Sequence, residues 1–238
     1  MIVLLQPGDA SAGQGKRLAE AEQHHLRVRR ARDGDPVELR DGAGLVGKGR
    51  LVQAGRGWQV EVETAHVVGR PAAIMLAVGA GDRERFEWLV EKATELGVTS
   101  IVPIETERTA AVATRLRAPQ VEKLRRRALE AVKQCGAVWA PEVDEPEPLV
   151  AFLARPLQGQ RWLADATGGA PGAVGSDAVV ALVGPEGGLT DAESAAALAA
   201  GYRSVRLAPH VLRFETAAVA IAAVVAAARS TVPGGAND

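Results

Sequence analysis

The run Val179-Val180-Ala181-Leu182-Val183 constrains this chain most, because it passes without a break into Gly184-Pro185-Glu186-Gly187-Gly188-Leu189-Thr190. Five consecutive apolar residues read as a buried strand, and the glycines after it read as a loop. Thr190 and Glu193 have the spacing of a capping box, so a helix follows and runs to Gly201. In open α/β sheets ligands bind where strands end and helices begin. Glycine at such a place lets a ligand approach backbone N–H groups closely. The spacing is neither G-x-G-x-x-G nor G-x-x-x-x-G-K-[ST], which sets aside the dinucleotide and P-loop readings. On this loop alone, a ligand site and a plain tight turn both stay open.

The same alternation extends over residues 70–238. Ile74 to Val78 reads as a strand. Phe86, Leu89, Val90, Ala93 and Leu96 then share one helix face, and Gly97 supplies the stop. Val98 to Ile104 is a strand. A helix starting near Pro119 carries the apolar stripe Val121, Leu124, Ala128, Val132 and Cys135, which makes Cys135 a core residue, and Gly136 ends it. A proline- and acid-rich loop spans Pro141 to Pro148. Strands follow at Arg161 to Ala164, Val179 to Val183 and Ser204 to Leu207, and a last helix at Glu215 to Arg229. Such alternation predicts an α/β domain with a mostly parallel sheet.

Residues 1–69 differ. Short apolar pairs (Val37 and Leu39, Leu45 and Val46, Leu51 and Val52, Val60 and Val62) sit between turn signals at Asp33-Gly34, Asp41-Gly42 and Gly55-Arg56-Gly57. This spacing suggests a small β-barrel. The basic cluster His24-His25-Leu26-Arg27-Val28-Arg29-Arg30 falls on a helix or turn inside it.

Composition narrows the rest. The net charge of −1 does not advertise a nucleic-acid partner, yet phosphate contact needs only one positive face. Three Phe and one Tyr are too few for stacking platforms to dominate. A single cysteine excludes an internal disulfide framework, and the four histidines lack metal-ligand spacing. No apolar run reaches the ~18 residues of a membrane helix, and the first residues do not look like a signal peptide. The cytoplasm is the default compartment.

A second candidate segment is Arg206-Leu207-Ala208-Pro209-His210-Val211-Leu212-Arg213-Phe214-Glu215-Thr216-Ala217. It is another strand, loop and helix start. Arg213 and Glu215 could be an ion pair favoured by the helix dipole or could carry chemistry.

Taken together, G-P-E-G-G before a capped helix and L-x-P-x-x-L-R-x-E-T-A before an Ala-rich helix resemble the 16S ribosomal RNA uridine-N3 methyltransferases, of the SPOUT class. Arg83-Glu84-Arg85-Phe86-Glu87 with Glu91-Lys92-Ala93-Thr94-Glu95-Leu96-Gly97-Val98 is similar to that family's first helix. Glu105 to Thr109, then Glu130-Ala131 with Gln134 and Pro141, resemble later parts, and His24 to Arg30 with Gly34-Asp35 resembles its N-terminal PUA-like domain. The chain departs from the family pattern at Ala80, where a Lys is common nearby, at Ala137 in place of Arg, at Ala208 in place of Gly, and at His210 where Arg is frequent.

The resemblance implies a PUA-like RNA-binding barrel over 1–69 and a SPOUT domain over 70–238 with a C-terminal trefoil knot. It implies an S-adenosylmethionine-dependent enzyme that methylates N3 of a uridine in 16S rRNA of the small subunit, working as a homodimer without a metal. The cofactor would lie against Leu182, Val183, Gly184, Pro185, Glu186, Gly187 and Gly188, and against Leu207, Ala208, Val211, Leu212 and Thr216. Arg213 would steady negative charge on the uracil, and Glu215 would orient it or accept the N3 proton. RNA contact falls to Arg27, Arg29 and Arg30, to Arg108, and to the run Arg115, Arg117, Lys123, Arg125, Arg126 and Arg127. A ribose 2′-O methyltransferase of the same class and a non-catalytic ribosome-assembly factor are the alternatives. If Arg27 and Arg29 bind phosphate, replacing both with alanine flattens the salt dependence of RNA binding; an unaltered slope removes them from the interface.

Overall fold

Residues 1–8 and 15–230 are described by the computed structural model. The last eight residues of the expected C-terminal domain, 231–238, lie outside them. The chain divides into two compact units: Met1–Arg70 with Leu129–Ala140, and Pro71–Ala128 with Pro141–Asp238.

The first unit holds β1 (Ile2–Leu4), β2 (Gly15–Arg17), α1 (Glu20–Val28), β3 (Pro36–Arg40), β4 (Leu45–Ala54) and β5 (Gly57–Val67). They form a five-stranded sheet in the order β1-β3-β4-β5-β2. The pairs Leu45 with Val46 and Leu51 with Val52, read from sequence as separate strands, are one long strand with an irregularity at Lys48/Gly49. Inward-facing Val37, Leu39, Leu51, Val60 and Val62 bury the sheet face against Leu26 of α1. Gln23 fixes that helix by a double bond to Trp58: its Oε1 accepts from the Trp58 amide and its Nε2 donates to the Trp58 carbonyl, both at 2.7 Å. Glu22 and Lys133 form a buried ion pair at 2.7 Å. Arg27, Arg29 and Arg30 are exposed at the end of α1, and Arg30 takes a left-handed conformation (φ 53°) that turns the chain out of the helix.

The second unit contains β6 (Ile74–Gly79), α2 (Arg83–Glu95), β7 (Ser100–Glu105), the start of α3 (Val121–Cys135), β8 (Glu142–Val143), β9 (Glu147–Pro148), α4 (Leu149–Leu153), β10 (Gln160–Gly169), β11 (Val179–Val183), α5 (Asp191–Ala199), β12 (Arg203–Val205) and α6 (Phe214–Ser230). The sheet order is β12-β10-β11-β6-β7-β8, with β9 also on β7. All of its pairings are parallel. β11 lies inside the sheet and every one of its residues is buried, as its unbroken apolar run requires. α6 packs on α2, β6 and β11. Its far end is held by Arg229, whose guanidinium donates to the carbonyls of Ala72, Ala73 and Asp177.

Several boundaries differ from the sequence reading. Pro119 lies in a 3₁₀ turn and α3 begins after it, at Val121. Cys135 is exposed, not core: it is the last residue of α3, and the buried stripe ends at Val132. The expected loop 141–148 supplies two short parallel strands, and α4 follows unannounced.

The start of α2 depends on Asp82, whose carboxylate accepts from the Glu84 and Arg85 amides and from the Thr114 hydroxyl. Those bonds, Thr114's first, hold its carboxyl below the ordinary value of 3.8. Asp82→Ala should therefore cost about 1 kcal/mol of stability at neutral pH. A carboxyl depressed in the folded state stabilises above its unfolded pKa and loses that contribution as pH falls. The difference in denaturation midpoint between wild type and variant should thus shrink below about pH 4. A difference that persists at acid pH would mean the ionised cap is not the cause.

Candidate functional site

The carboxyl ends of β10 and β11 open into a cleft of about 840 Å³. Its wall is built mainly from three stretches, with Asp191 and Ser194 of α5, Ala217 of α6 and one side chain of α2 added. Leu163 to Ala166 come from β10, residues 183–189 follow β11, and residues 205–214 run from β12 into α6. Arg85 reaches it from α2. This is where parallel α/β sheets bind ligands.

The loop after β11 is fixed from four sides. The Gly188 amide donates to the Pro185 carbonyl at 2.7 Å, and Gly188 takes φ +72°, which suits glycine. The Glu186 carboxylate accepts from the Asp82 amide at 2.8 Å. Arg108 donates to the carbonyls of Gly187, at 2.5 Å, and Leu189, at 3.3 Å. Downstream, Thr190 and Glu193 cap α5 reciprocally, and Glu193 also accepts from the Glu107 amide. A carboxylate and a guanidinium thus hold the loop, leaving backbone groups to face the cleft.

The end of β6 must lie very close to this loop. A Cβ added at Gly79 would stand 2.6 Å from Pro185 Cδ and 2.8 Å from its Cα, and one at Gly81 would stand 2.7 Å from Glu186 Oε1. Real side chains do not occupy such positions, so contact with the Pro185 backbone requires glycine at 79 across more than a hundred residues of sequence, while at 81 a side chain would push the Glu186 carboxylate aside.

The structure brings most of the expected cofactor residues together. Val183, Gly184, Pro185, Glu186, Gly187, Gly188, Leu207, Ala208, Val211 and Leu212 line one cleft with His210 and Arg213. Leu182 does not reach it. Its side chain is fully buried among Ala77, Val102, Ile104 and Leu163, so it supports the floor from beneath. Thr216 is exposed and off the wall. Arg213, Phe214 and Ala217 share the helix face that looks into the cleft, and Glu215 and Thr216 turn away from it. Glu215 is buried, its Oε2 has no hydrogen-bond partner, and no ion pair joins it to Arg213 among the described residues.

The basic residues divide sharply. Arg108 is occupied on the loop carbonyls. Arg125 is bound to the Val143 carbonyl, Glu122 and Glu145; Arg127 pairs with Glu91 and Lys123 with Glu87. Arg126 is exposed on α3, and Arg115 is half-buried opposite Asp82 in a short bridge.

Sequence reasoning missed Asp165. The strand β10 extends five residues beyond the expected Ala164, and carries Asp165 onto the cleft wall. Its carboxyl accepts from the Thr167 amide and hydroxyl, each at 2.8 Å, and the amide bond first of all holds its pKa below the usual carboxylate value. It is an anion fixed in place, suited to an ammonium group or to vicinal hydroxyls. Among the described residues no group of three or more His, Cys, Asp or Glu is placed to hold a metal, and no helix is long and apolar enough to cross a membrane.

Residues 69–226 match the family described as RNA methyltransferase domain, and residues 18–57 match the RNA methyltransferase PUA domain. The chain is 31% identical to ribosomal RNA small subunit methyltransferase E of Aquifex aeolicus, over 87% of this chain and 92% of the relative. It is also 31% identical to the protein of that name from Synechocystis, over 84% and 69% respectively. Its structure is similar to that of ribosomal RNA small subunit methyltransferase E from Neisseria gonorrhoeae bound to S-adenosyl methionine, with TM-score 0.86 and 28% identity, over 96% of this chain and 97% of that one.

The glycine contacts give a direct test. Gly79→Ala forces a methyl group against the Pro185 backbone, an overpacking that costs about 1–3 kcal/mol and displaces the loop. It should lower the melting temperature and weaken S-adenosylmethionine binding at least about tenfold. Gly175→Ala, whose added Cβ meets nothing within 4 Å, should change neither. Equal behaviour of the two variants would show that the close approach is not required.

Proposed function

The chain belongs to the RNA methyltransferase family that includes ribosomal RNA small subunit methyltransferase E, and from that premise we propose that it methylates N3 of a specific uridine in 16S ribosomal RNA, using S-adenosylmethionine. One observation carries the reading: the two loops that follow β11 and β12 wall a single cleft, with Arg213 on that wall.

The cleft fits the cofactor. Its 840 Å³ lies within the range of about 300–1,000 Å³ usual for small-molecule pockets. Residues 184–188 and 207–212 offer backbone N–H and C=O groups to an adenine edge, and Val183, Leu189, Leu207 and Leu212 offer apolar cover to its faces. Asp165 is the group for the ammonium or the ribose hydroxyls. When bound, S-adenosylmethionine supplies an electrophilic methyl on sulfur.

The residues of this chain then have two tasks. They align the uracil N3 with that methyl, so that the N3–C bond forms as the C–S bond breaks. They also stabilise the charge left on the uracil oxygens as the N3 proton passes to solvent water. Arg213 is the group for the second task, since a guanidinium on the wall beside the base acts as oxyanion donors do elsewhere. Glu215 is buried in the first turn of α6, off the cleft wall, where its charge suits the positive end of that helix, a positioning role and not contact with the substrate.

The remaining parts of the reading follow from the family. Functional halves fall at 1–69 and 70–238. The first closes as a PUA-like barrel that contacts RNA through Arg27, Arg29 and Arg30; Arg115 and Arg126 add contacts from the second. The segment 206–213, which returns the chain from edge strand β12 to the sheet centre, closes a trefoil knot of the SPOUT kind. A second copy of the chain covers the exposed Val211 side of the cleft. The reaction takes place in the cytoplasm, where the ribosomal RNA is.

Small ribosomal subunits from a strain lacking this modification, incubated with the protein and labelled cofactor, should yield 3-methyluridine on nucleoside mass spectrometry. Arg213→Ala, folded and still able to bind cofactor, should lower the single-turnover rate by about 10²–10³. A different methylated nucleoside, or an unchanged rate in the variant, would refute the assignment.

A further inference from the structure

Arg85 is on the cleft wall, yet none of the roles described so far uses it. Its position is set by packing. α2 lies against α6, and the rings of Phe86 and Phe214 meet with centroids 6.4 Å apart. Each ring is buried, and each is preceded by an arginine that lines the cleft. The contact between the rings therefore brings the starts of α2 and α6 together, each with an arginine on the cleft wall.

Neither guanidinium has an ion-pair or side-chain hydrogen-bond partner among the described residues. Arg108, Lys123, Arg125, Arg127, Arg155 and Arg229 in the same unit all do. Arg85, Arg206 and Arg213 share the wall with the carboxylates of Asp165, Glu186 and Asp191, of which Asp165 and Glu186 already accept hydrogen bonds from the chain, so Arg85 and Arg213, with the N-terminal ends of α2 and α6 beneath them, keep donors to offer an incoming anion. Charge on the uracil develops only during reaction and occupies one arginine. Arg85, which lies outside both cofactor loops whereas Arg206 belongs to one of them, suits a permanent anion. Apart from Arg85, α2 supplies no residue to the wall, so Arg85 stands apart from the loops that would read the cofactor.

We propose that Arg85 binds a backbone phosphate of the RNA next to the target uridine, positioning the nucleotide for Arg213. This rests on the methyl-transfer reading above. Arg85 is a positioning residue: it acts on substrate capture and not on the reacting base.

The test uses the full-length protein with unmodified small ribosomal subunits. For Arg85→Ala, the subunit concentration giving half-maximal single-turnover rate should rise about tenfold, and the saturating rate should stay within about twofold of wild type. S-adenosylmethionine affinity, measured by calorimetry, should be unchanged. The slope of log binding constant against log salt should lose about 0.7, the value for one phosphate contact on a single strand. Arg85→Lys should restore most of the affinity, because a phosphate accepts a point charge. A loss of cofactor affinity would overturn the proposal in favour of the cofactor carboxylate. A fall in the saturating rate would move Arg85 to the base, and an unchanged half-maximal concentration would remove it from the substrate altogether. If wild-type protein transfers no methyl group, the methyl-transfer reading fails; the salt slope of subunit binding by wild type and Arg85→Ala still decides whether Arg85 holds a phosphate.

Discussion

The close approach of the β6 end to the loop after β11 is the constraint on which the site depends. Gly79 has no room for a side chain because Pro185 occupies it, and Gly81 faces the Glu186 carboxylate. With the two segments that close, the Glu186 carboxylate can accept the Asp82 amide, and the same Asp82 caps α2. One short contact thus couples the loop that would read the cofactor to the helix that carries Arg85. Arg108 completes the arrangement by taking two carbonyls on the other flank of the loop. Side chains that could have contacted a ligand are instead used to hold backbone in place.

This division of labour explains the chemistry of the wall. A methyl transfer to a ring nitrogen needs alignment and one charge stabiliser more than it needs an array of acids and bases. The wall offers fixed backbone, apolar cover, carboxylates anchored at Asp165 and Glu186, and the guanidiniums of Arg85 and Arg213. Arg206, the third arginine on the wall, belongs to the loop after β12.

What could be read from sequence was local. The buried run 179–183, the capping box at Thr190 and Glu193, the helix phase of α2 and the extent of α6 depend on neighbours a few residues apart, and the structure bears each of them out. The gathering of residues 183–188 with 207–212 was legible through family resemblance, since no periodicity brings two distant loops together. The failures are non-local or lie at element ends. The need for glycine at 79 arises from contact with Pro185. Asp165 was hidden because polar residues continued a strand that apolar patterning ended at Ala164. Cys135 kept the stripe's phase but fell at the last residue of α3, where the covering elements stop. Leu182 had the right segment and the wrong face, and Thr216 the right helix and the wrong side. Arg108 was read as a nucleic-acid contact because its carbonyl partners lie some eighty residues ahead.

The most direct measurement of whether backbone in these two loops forms the cofactor site is a crystal structure of the protein with S-adenosylmethionine. The adenine edge should be hydrogen-bonded to main-chain groups within 184–188 and 207–212, its faces covered by Leu207 and Leu212, with Asp165 on the ribose or ammonium. Cofactor bound elsewhere on the chain, or held in this cleft by side chains with the loop backbone left solvated, would contradict that design.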